Sequence, residues 1–137
     1  MPLERRDWIT EEMMLAEPDT LFVFGDNLEG WGKGGQAKIM RGKPNAIGLP
    51  TKRAPYKFLT DADLPEVADS VVPLAKKLFR HLMTGGLVVW PLAGIGTGLA
   101  DLQNKAPRVA EFYAELLDFC AFDPHRGLMR QHFKDGA

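Results

Sequence analysis

Two stretches of this chain crowd glycine among polar and charged side chains, a combination suited to holding an anion. The first runs Gly25-Asp26-Asn27-Leu28-Glu29-Gly30-Trp31-Gly32-Lys33-Gly34-Gly35-Gln36, and the second Pro91-Leu92-Ala93-Gly94-Ile95-Gly96-Thr97-Gly98-Leu99. Glycine admits positive φ and lets backbone come close to a ligand. Free N–H groups at a helix start draw phosphate. Two such loops on one sheet edge would hold a diphosphate between them. Gly25, Gln36, Gly94 and Ile95 bound these loops and count among the candidate contacts. Lys33 is placed to pair with phosphate, or else is a solvated loop charge. Trp31 is placed to stack on a base or ribose. The plain alternative is that the glycines only build turns. Long irregular loops in compact domains are usually functional, and two of them weigh toward a ligand. Established nucleotide motifs do not fit. A P-loop needs Ser or Thr after its lysine, whereas Lys33 is followed by Gly34, and Gly94 to Gly98 lacks the G-x-G-x-x-G spacing.

The elements that must position these loops are legible as short apolar runs. Leu21-Phe22-Val23-Phe24 precedes the first loop and Leu87-Val88-Val89-Trp90 the second. Continuous rather than alternating, both suit strands buried on two faces, as in a parallel sheet. Ala46-Ile47-Gly48-Leu49 predicts a third strand ending at Pro50. Leu64, Val67, Val71, Leu74, Leu78 and Leu82 recur at helical spacing. Asp63 with Glu66 resembles a capping box and Pro65 suits a first turn. Pro73 predicts a kink or break, and Thr84-Gly85-Gly86 a stop. A last helix after Pro107 carries Val109, Phe112, Tyr113, Leu116 and Phe119 on one stripe, and a short one spans Gly35 to Arg41. Trp8 to Leu15 reads as helix or edge strand. The segment from Asp123 reads as partly loose. Strands alternating with helices predict an α/β sheet, whose ligands sit beyond the carboxyl ends of its strands.

Length and charge narrow the field. The 137 residues suit a single domain, with its core over about residues 20 to 120. With 17 basic and 18 acidic residues the net charge is −1, which argues against a general polyanion binder. One cysteine, Cys120, rules out an intrachain disulfide and a multi-cysteine metal site, and reads as a small buried hydrophobe. His81, His125 and His132 form no pair at ligand spacing, so no metal and no cofactor are expected. Trp90 reads as core. Neither a signal peptide nor an apolar run of membrane-spanning length is visible, and the cytosol is the expected address.

Three segments in order resemble a macrodomain. That family has a strand ending in asparagine, four residues, then a glycine-rich run opening a helix. Here Asn27 precedes Leu28 to Trp31 and then Gly32-Lys33-Gly34-Gly35. Its later loop follows a strand ending in Pro and reads roughly S-T-G-I, where this chain has Trp90-Pro91 and then Gly96-Thr97-Gly98-Leu99. Ile47 to Lys52 is similar to the strand between them. The resemblance implies a compact three-layer α/β/α fold with a mixed, mainly parallel sheet. It implies a pocket for ADP-ribose or a related NAD-derived nucleotide. Asn27 would contact the distal ribose, Gly34 and Gly35 would border that ribose and the diphosphate, and Gly96, Thr97, Gly98 and Leu99 would wrap the diphosphate. Asp26 departs from the small residue usual before that asparagine.

One branch is closer still. The terminal ADP-ribose glycohydrolase type has L-I-T-K and G-C-G-L-D-x-L-Q, which Pro50-Thr51-Lys52-Arg53 and Gly96 to Gln103 resemble. In that branch a lysine attacks the ribose carbon and an aspartate assists. Lys52 matches the lysine, whereas the aspartate position holds Ala100, with Asp101 one place later. The second loop is also similar to small macrodomain-like proteins common in phages, which implies a role in NAD-linked signalling.

Cleaving a bond at a ribose carbon needs a carboxylate or nucleophile near that carbon. Asp26 is the first candidate from its place in the loop, against a plain role in bonding nearby N–H groups. A lysine becomes a nucleophile where burial or a neighbouring cation disfavours its ammonium, and Arg53 adjoins Lys52. Its plain role is phosphate or carboxylate pairing. The expected function is therefore a nucleotide-binding module. The alternatives are an ADP-ribosyl glycohydrolase using Lys52 or Asp26, and a protein-interaction module with a vestigial pocket. A modified substrate can be protein, nucleic acid or a free signal molecule. No obligate partner is implied.

Overall fold

The structure, a computed structural model, describes residues 3–32 and 34–122. Lys33 and the segment from Asp123, which contains His125 and His132, lie outside the described residues. Five strands form one sheet: β1 (Leu3–Arg6), β2 (Leu21–Asn27), β3 (Ala46–Ala54), β4 (Lys57–Phe58) and β5 (Val88–Pro91), in spatial order β1-β5-β2-β3-β4. β1, β5, β2 and β3 are mutually parallel and β4 is antiparallel to β3. The helices are α1 (Glu11–Ala16), α2 (Ala37–Met40), α3 (Leu64–Met83), α4 (Leu102–Lys105) and α5 (Pro107–Cys120).

Strand side chains alternate between two cores. Leu21 and Val23 of β2, Ile47 and Leu49 of β3, and Val88 and Trp90 of β5 pack with α3 and α5. Phe22, Phe24 and Val89 point the other way, against Met14 of α1 and Ala37 and Met40 of α2. The sheet is thus the middle layer of an α/β/α sandwich, mixed and mainly parallel. The continuous apolar runs have this physical cause, since Leu21 to Phe24 and Val88 to Trp90 are each buried on one face or the other, and Leu87 is partly so.

Several expectations need correction. β3 does not stop at Pro50 but runs on to Ala54. Pro50 has no N–H to donate, and its carbonyl accepts the buried Tyr113 hydroxyl. The ladder slips just beyond it, where Asp26 faces Pro50 and Asn27 faces Lys52. β2 likewise continues through Gly25 and Asp26 to Asn27, so the first glycine loop begins later, at Leu28. α3 crosses Pro73 unbroken. Pro73 and Asp69, whose carbonyl loses its donor, are exposed, so water can satisfy that carbonyl. The capping box lies three residues early, on Thr60 and Asp63, at a 3₁₀ turn over Asp61–Asp63. Phe119 is exposed, and Cys120 takes the buried place on the α5 stripe. Burial pushes the Cys120 thiol up to about 11. Trp8 to Leu15 resolves into an extended lead and α1, capped by the Thr10 hydroxyl. β1, edge-placed and written Leu-Glu-Arg-Arg, carries no apolar signal. Among the described residues, no helix is long and apolar enough to cross a membrane.

Candidate functional site

β2 and β5 are neighbours in the sheet and parallel, so both glycine loops leave the same edge side by side. β2 connects through α2 to β3 on one side of it, and β5 lies on the other. That reversal of direction opens a crevice at the carboxyl ends of such strands.

The first loop is pinned from within. The Asn27 side-chain oxygen accepts the N–H groups of Glu29 and Gly30 at 3.0 and 2.8 Å, and its amide donates to the Trp31 carbonyl at 2.7 Å. Both ends of the Asn27 amide thus close its own turn. The Leu28 N–H donates to the Lys52 carbonyl at 2.9 Å. The Asp26 carboxylate is gripped by the Arg41 guanidinium, which also donates to the Gly32 carbonyl. Gly48 makes room for this ion pair: a Cβ there would meet Phe24 at 2.8 Å and Asp26 at 3.0 Å. Asp26 therefore shares the α2 face of the sheet with Phe24. The Gln36 side chain brackets Ile9, accepting from its N–H at 2.7 Å and donating to its carbonyl at 2.9 Å. Buried Thr51 donates to the Asp26 carbonyl at 3.0 Å, and a Cβ on Gly25 would touch its methyl at 3.3 Å. Gly32 has φ +109° and abuts Pro55. Gly34 and Gly35 face open space. Trp31 is half exposed, donates to the Glu29 carboxylate at 3.1 Å, and meets Tyr56 edge-on at 6.3 Å.

The second loop is built differently. It is fastened at its root, where the Leu92 N–H donates to the Arg6 carbonyl at 2.7 Å and Arg5 donates to the carbonyls of Pro91 and Leu92. It closes again where the Leu102 N–H reaches the Gly96 carbonyl at 3.0 Å. Between these ties, the six consecutive N–H groups from Ile95 to Ala100 have no acceptor among the described residues. Gly94 and Gly96 take φ of +93° and +78°, and Asp101 takes +46°. Successive N–H groups in such alternating backbone form concavities that bind anions. Asp is one of the few residues that tolerates the left-handed region. Here its carboxylate accepts the Asn104 amide at 2.9 Å.

Beside this loop lies a pocket of about 270 Å³ on the α5 face, lined by Trp90, Ile95, Thr97, Asp101, Tyr113 and Leu117 among others. Trp90 is buried, and its indole N–H has no partner among the described residues. The Tyr113 hydroxyl, desolvated by burial, is pushed well above the usual phenol range.

The structure thus brings Gly94, Ile95, Gly96, Thr97 and Asp101 to one pocket and leaves Gly98 and Leu99 exposed, outside its lining. It puts Asp26 on the opposite sheet face and turns Asn27, Gln36 and Thr51 to holding the scaffold. The Lys52 amine donates to the Pro55 carbonyl at 2.8 Å and stands 5.3 Å over the Phe58 ring. The expected helix starts behind the loops are single turns, α2 and α4, of four residues each. The donors on offer are therefore loop amides rather than a helix dipole. Sequence reasoning missed Arg5, Arg41, Tyr56, Phe58 and Lys105. Arg41 had one signal, a cation at the end of the helix that follows the first loop. Arg5 had none.

A family described as a family of unknown function, DUF7831, matches residues 4–116, and the chain belongs to it. No curated protein and no solved structure matches the chain.

Proposed function

We propose that this DUF7831 member binds ADP-ribose or a related NAD-derived nucleotide at the carboxyl edge of its sheet. The diphosphate lies on the second loop, one end of the nucleotide enters the adjoining pocket, and the first loop forms the facing wall. The observation that carries the reading is the run of six consecutive amides, Ile95 to Ala100, with no acceptor among the described residues, beside a pocket at the point where the strand order reverses. A pocket of about 270 Å³ suits one end of a nucleotide rather than the whole. Exposed Trp31 and Tyr56 add a stacking surface on the facing side. The resemblance to ADP-ribose-handling macrodomains in three ordered segments supports the same ligand class, and with it a place in NAD-linked signalling of the kind phage proteins engage.

The test is a calorimetric titration of ADP-ribose, with NAD as comparator, on the wild type and on Gly98→Glu. A Cβ at Gly98 meets nothing within 4 Å and its φ is ordinary, so the variant folds and keeps its stability within about 0.5 kcal/mol. Its carboxylate faces the anion site, and ADP-ribose binding falls about tenfold or more. A wild type that gives no heat with either nucleotide and no thermal shift at saturating ligand overturns the reading.

A further inference from the structure

One cluster joins β3, β4 and α4, and the loop amides do not account for it. Lys52 stands at the carboxyl end of β3, level with Asn27, and its carbonyl holds the first residue of the first loop. Lys105 closes α4, the single turn into which the second loop runs. The two side chains, one from β3 beside the first loop and one from α4 after the second, converge on one ring: their ammoniums lie 5.3 Å and 4.8 Å from the centroid of Phe58. Phe58 belongs to β4, the two-residue strand that folds back along β3, and it is partly exposed. Neither ammonium has a carboxylate within ion-pair distance among the described residues. Asp101, one helical turn before Lys105, turns its carboxylate to Asn104 instead.

Two like charges gathered on one ring repel each other; the ring face and, for Lys52, the Pro55 carbonyl ease that repulsion, but no carboxylate among the described residues neutralises it. An anion between them would. We propose that Lys52 and Lys105, held by Phe58, form a paired-lysine clamp for a phosphoryl group of the ligand, bridging the two loops. The proposal rests on the nucleotide reading and names the element that reads the ligand's phosphate charge. Lys52 then acts as a binding cation, and Phe58 is a positioning residue.

The experiment compares wild type, Lys105→Gln, Phe58→Leu and Phe58→Tyr by calorimetry, at low and high salt, with ADP-ribose, adenosine and inorganic pyrophosphate. Lys105→Gln weakens ADP-ribose binding about tenfold and flattens its salt dependence, while adenosine binding is unmoved. Phe58→Leu shows the same pattern because both lysines lose their seat, and Phe58→Tyr, which keeps a ring face, restores wild-type affinity. If Lys105→Gln binds ADP-ribose as tightly as the wild type, the clamp is overturned and the nucleotide reading stands. If the wild type ignores ADP-ribose yet binds pyrophosphate through Lys105, the clamp stands and the nucleotide reading fails. If neither ligand binds, both fail.

Discussion

The two glycine loops leave adjacent strands and have similar compositions, yet they are held in opposite ways. In the first, side chains close the loop on itself. Asn27 uses both ends of its amide, Asp26 and Arg41 form an ion pair under it, and Gln36 ties its end to Ile9. In the second, a backbone tie and the Arg5 side chain at the root, with a backbone tie at Gly96, leave six amides, Ile95 to Ala100, with no acceptor among the described residues. Side chain and strand satisfy the N–H groups of Leu28 to Gly30 in one loop, whereas Trp31, Gly32, Gly34, Gly35 and Gln36 of that loop, like Ile95 to Ala100 of the other, have N–H groups with no acceptor among the described residues. Glycine content alone does not distinguish a wall from a binding surface. What distinguishes them is which backbone groups the side chains reach: N–H groups as well as carbonyls in the first loop, carbonyls alone at the root of the second.

The sharpest way to break this contrast is within the second loop. At Gly96, φ is +78° and a Cβ would sit 2.2 Å from a methyl of buried Leu102. Gly96→Ala combines a left-handed penalty with overpacking and lowers stability by about 3 kcal/mol in chemical denaturation. Two residues on, Gly98 has open space. If Gly96→Ala were as mild as a substitution at Gly98, the loop would not be held in the shape described. In the first loop the corresponding weak point is a side chain. Arg41→Ala leaves the mostly buried Asp26 carboxylate with only the Asn27 N–H and removes the Gly32 carbonyl's donor, at a cost of about 2 kcal/mol. Arg41→Lys recovers only part of this, since a lysine cannot make the forked contact. Full recovery by lysine would show that charge, not geometry, holds the loop.

These same residues show what was legible beforehand. The sheet was readable because strands buried on both faces give continuous apolar runs, and Leu21 to Phe24 and Val88 to Trp90 do so. The common edge of the two loops followed from that. β1 was not readable: as an edge strand of Leu-Glu-Arg-Arg it needs no apolar pattern, and its place is set by pairing with β5 far along the chain. The loop residues were readable as a set but not by role. Asn27, Gln36 and Thr51 have types that suit a ligand and suit a loop's own N–H groups equally well, and only the fold decides which partner is near. Arg5 and Phe58 carry no local signal, because their contacts lie 86 residues away and across a two-residue strand respectively.

A smaller effect sharpens the point about Asn27. Asn27→Ala removes the three hydrogen bonds that close the exposed first loop and lowers stability by about 1 kcal/mol. Asn27→Asp keeps the two acceptor contacts, loses only the donation to Trp31, and falls between wild type and alanine. A urea titration of the three proteins checks the order. An aspartate variant as weak as alanine would mean that the amide donor, not the acceptor, closes the turn.

The smallest expected effect is one of pH, and it reaches both loops through their supports. Glu17 is held below its ordinary 4.5 by hydrogen bonding to Arg6, whose carbonyl carries the second loop's Leu92. Asp63 is held below its ordinary 3.8 by the Thr60 N–H and then by Arg53, at the carboxyl end of the strand whose following Pro55 backs Gly32 of the first loop. A carboxyl that is more acidic in the native state than in the unfolded chain stabilises the fold fully above its unfolded value. That contribution fades as pH falls through the lower native value. Stability is therefore flat from neutral pH down to roughly pH 5 and declines below it. Glu17→Gln and Asp63→Asn each lower the thermal midpoint at neutral pH and make the acid decline shallower. Both pairs lie near the surface, so the change in slope is slight. If the acid limb keeps its full steepness in the double variant, carboxyls elsewhere govern it, and the supports of the two loops are insensitive to acid.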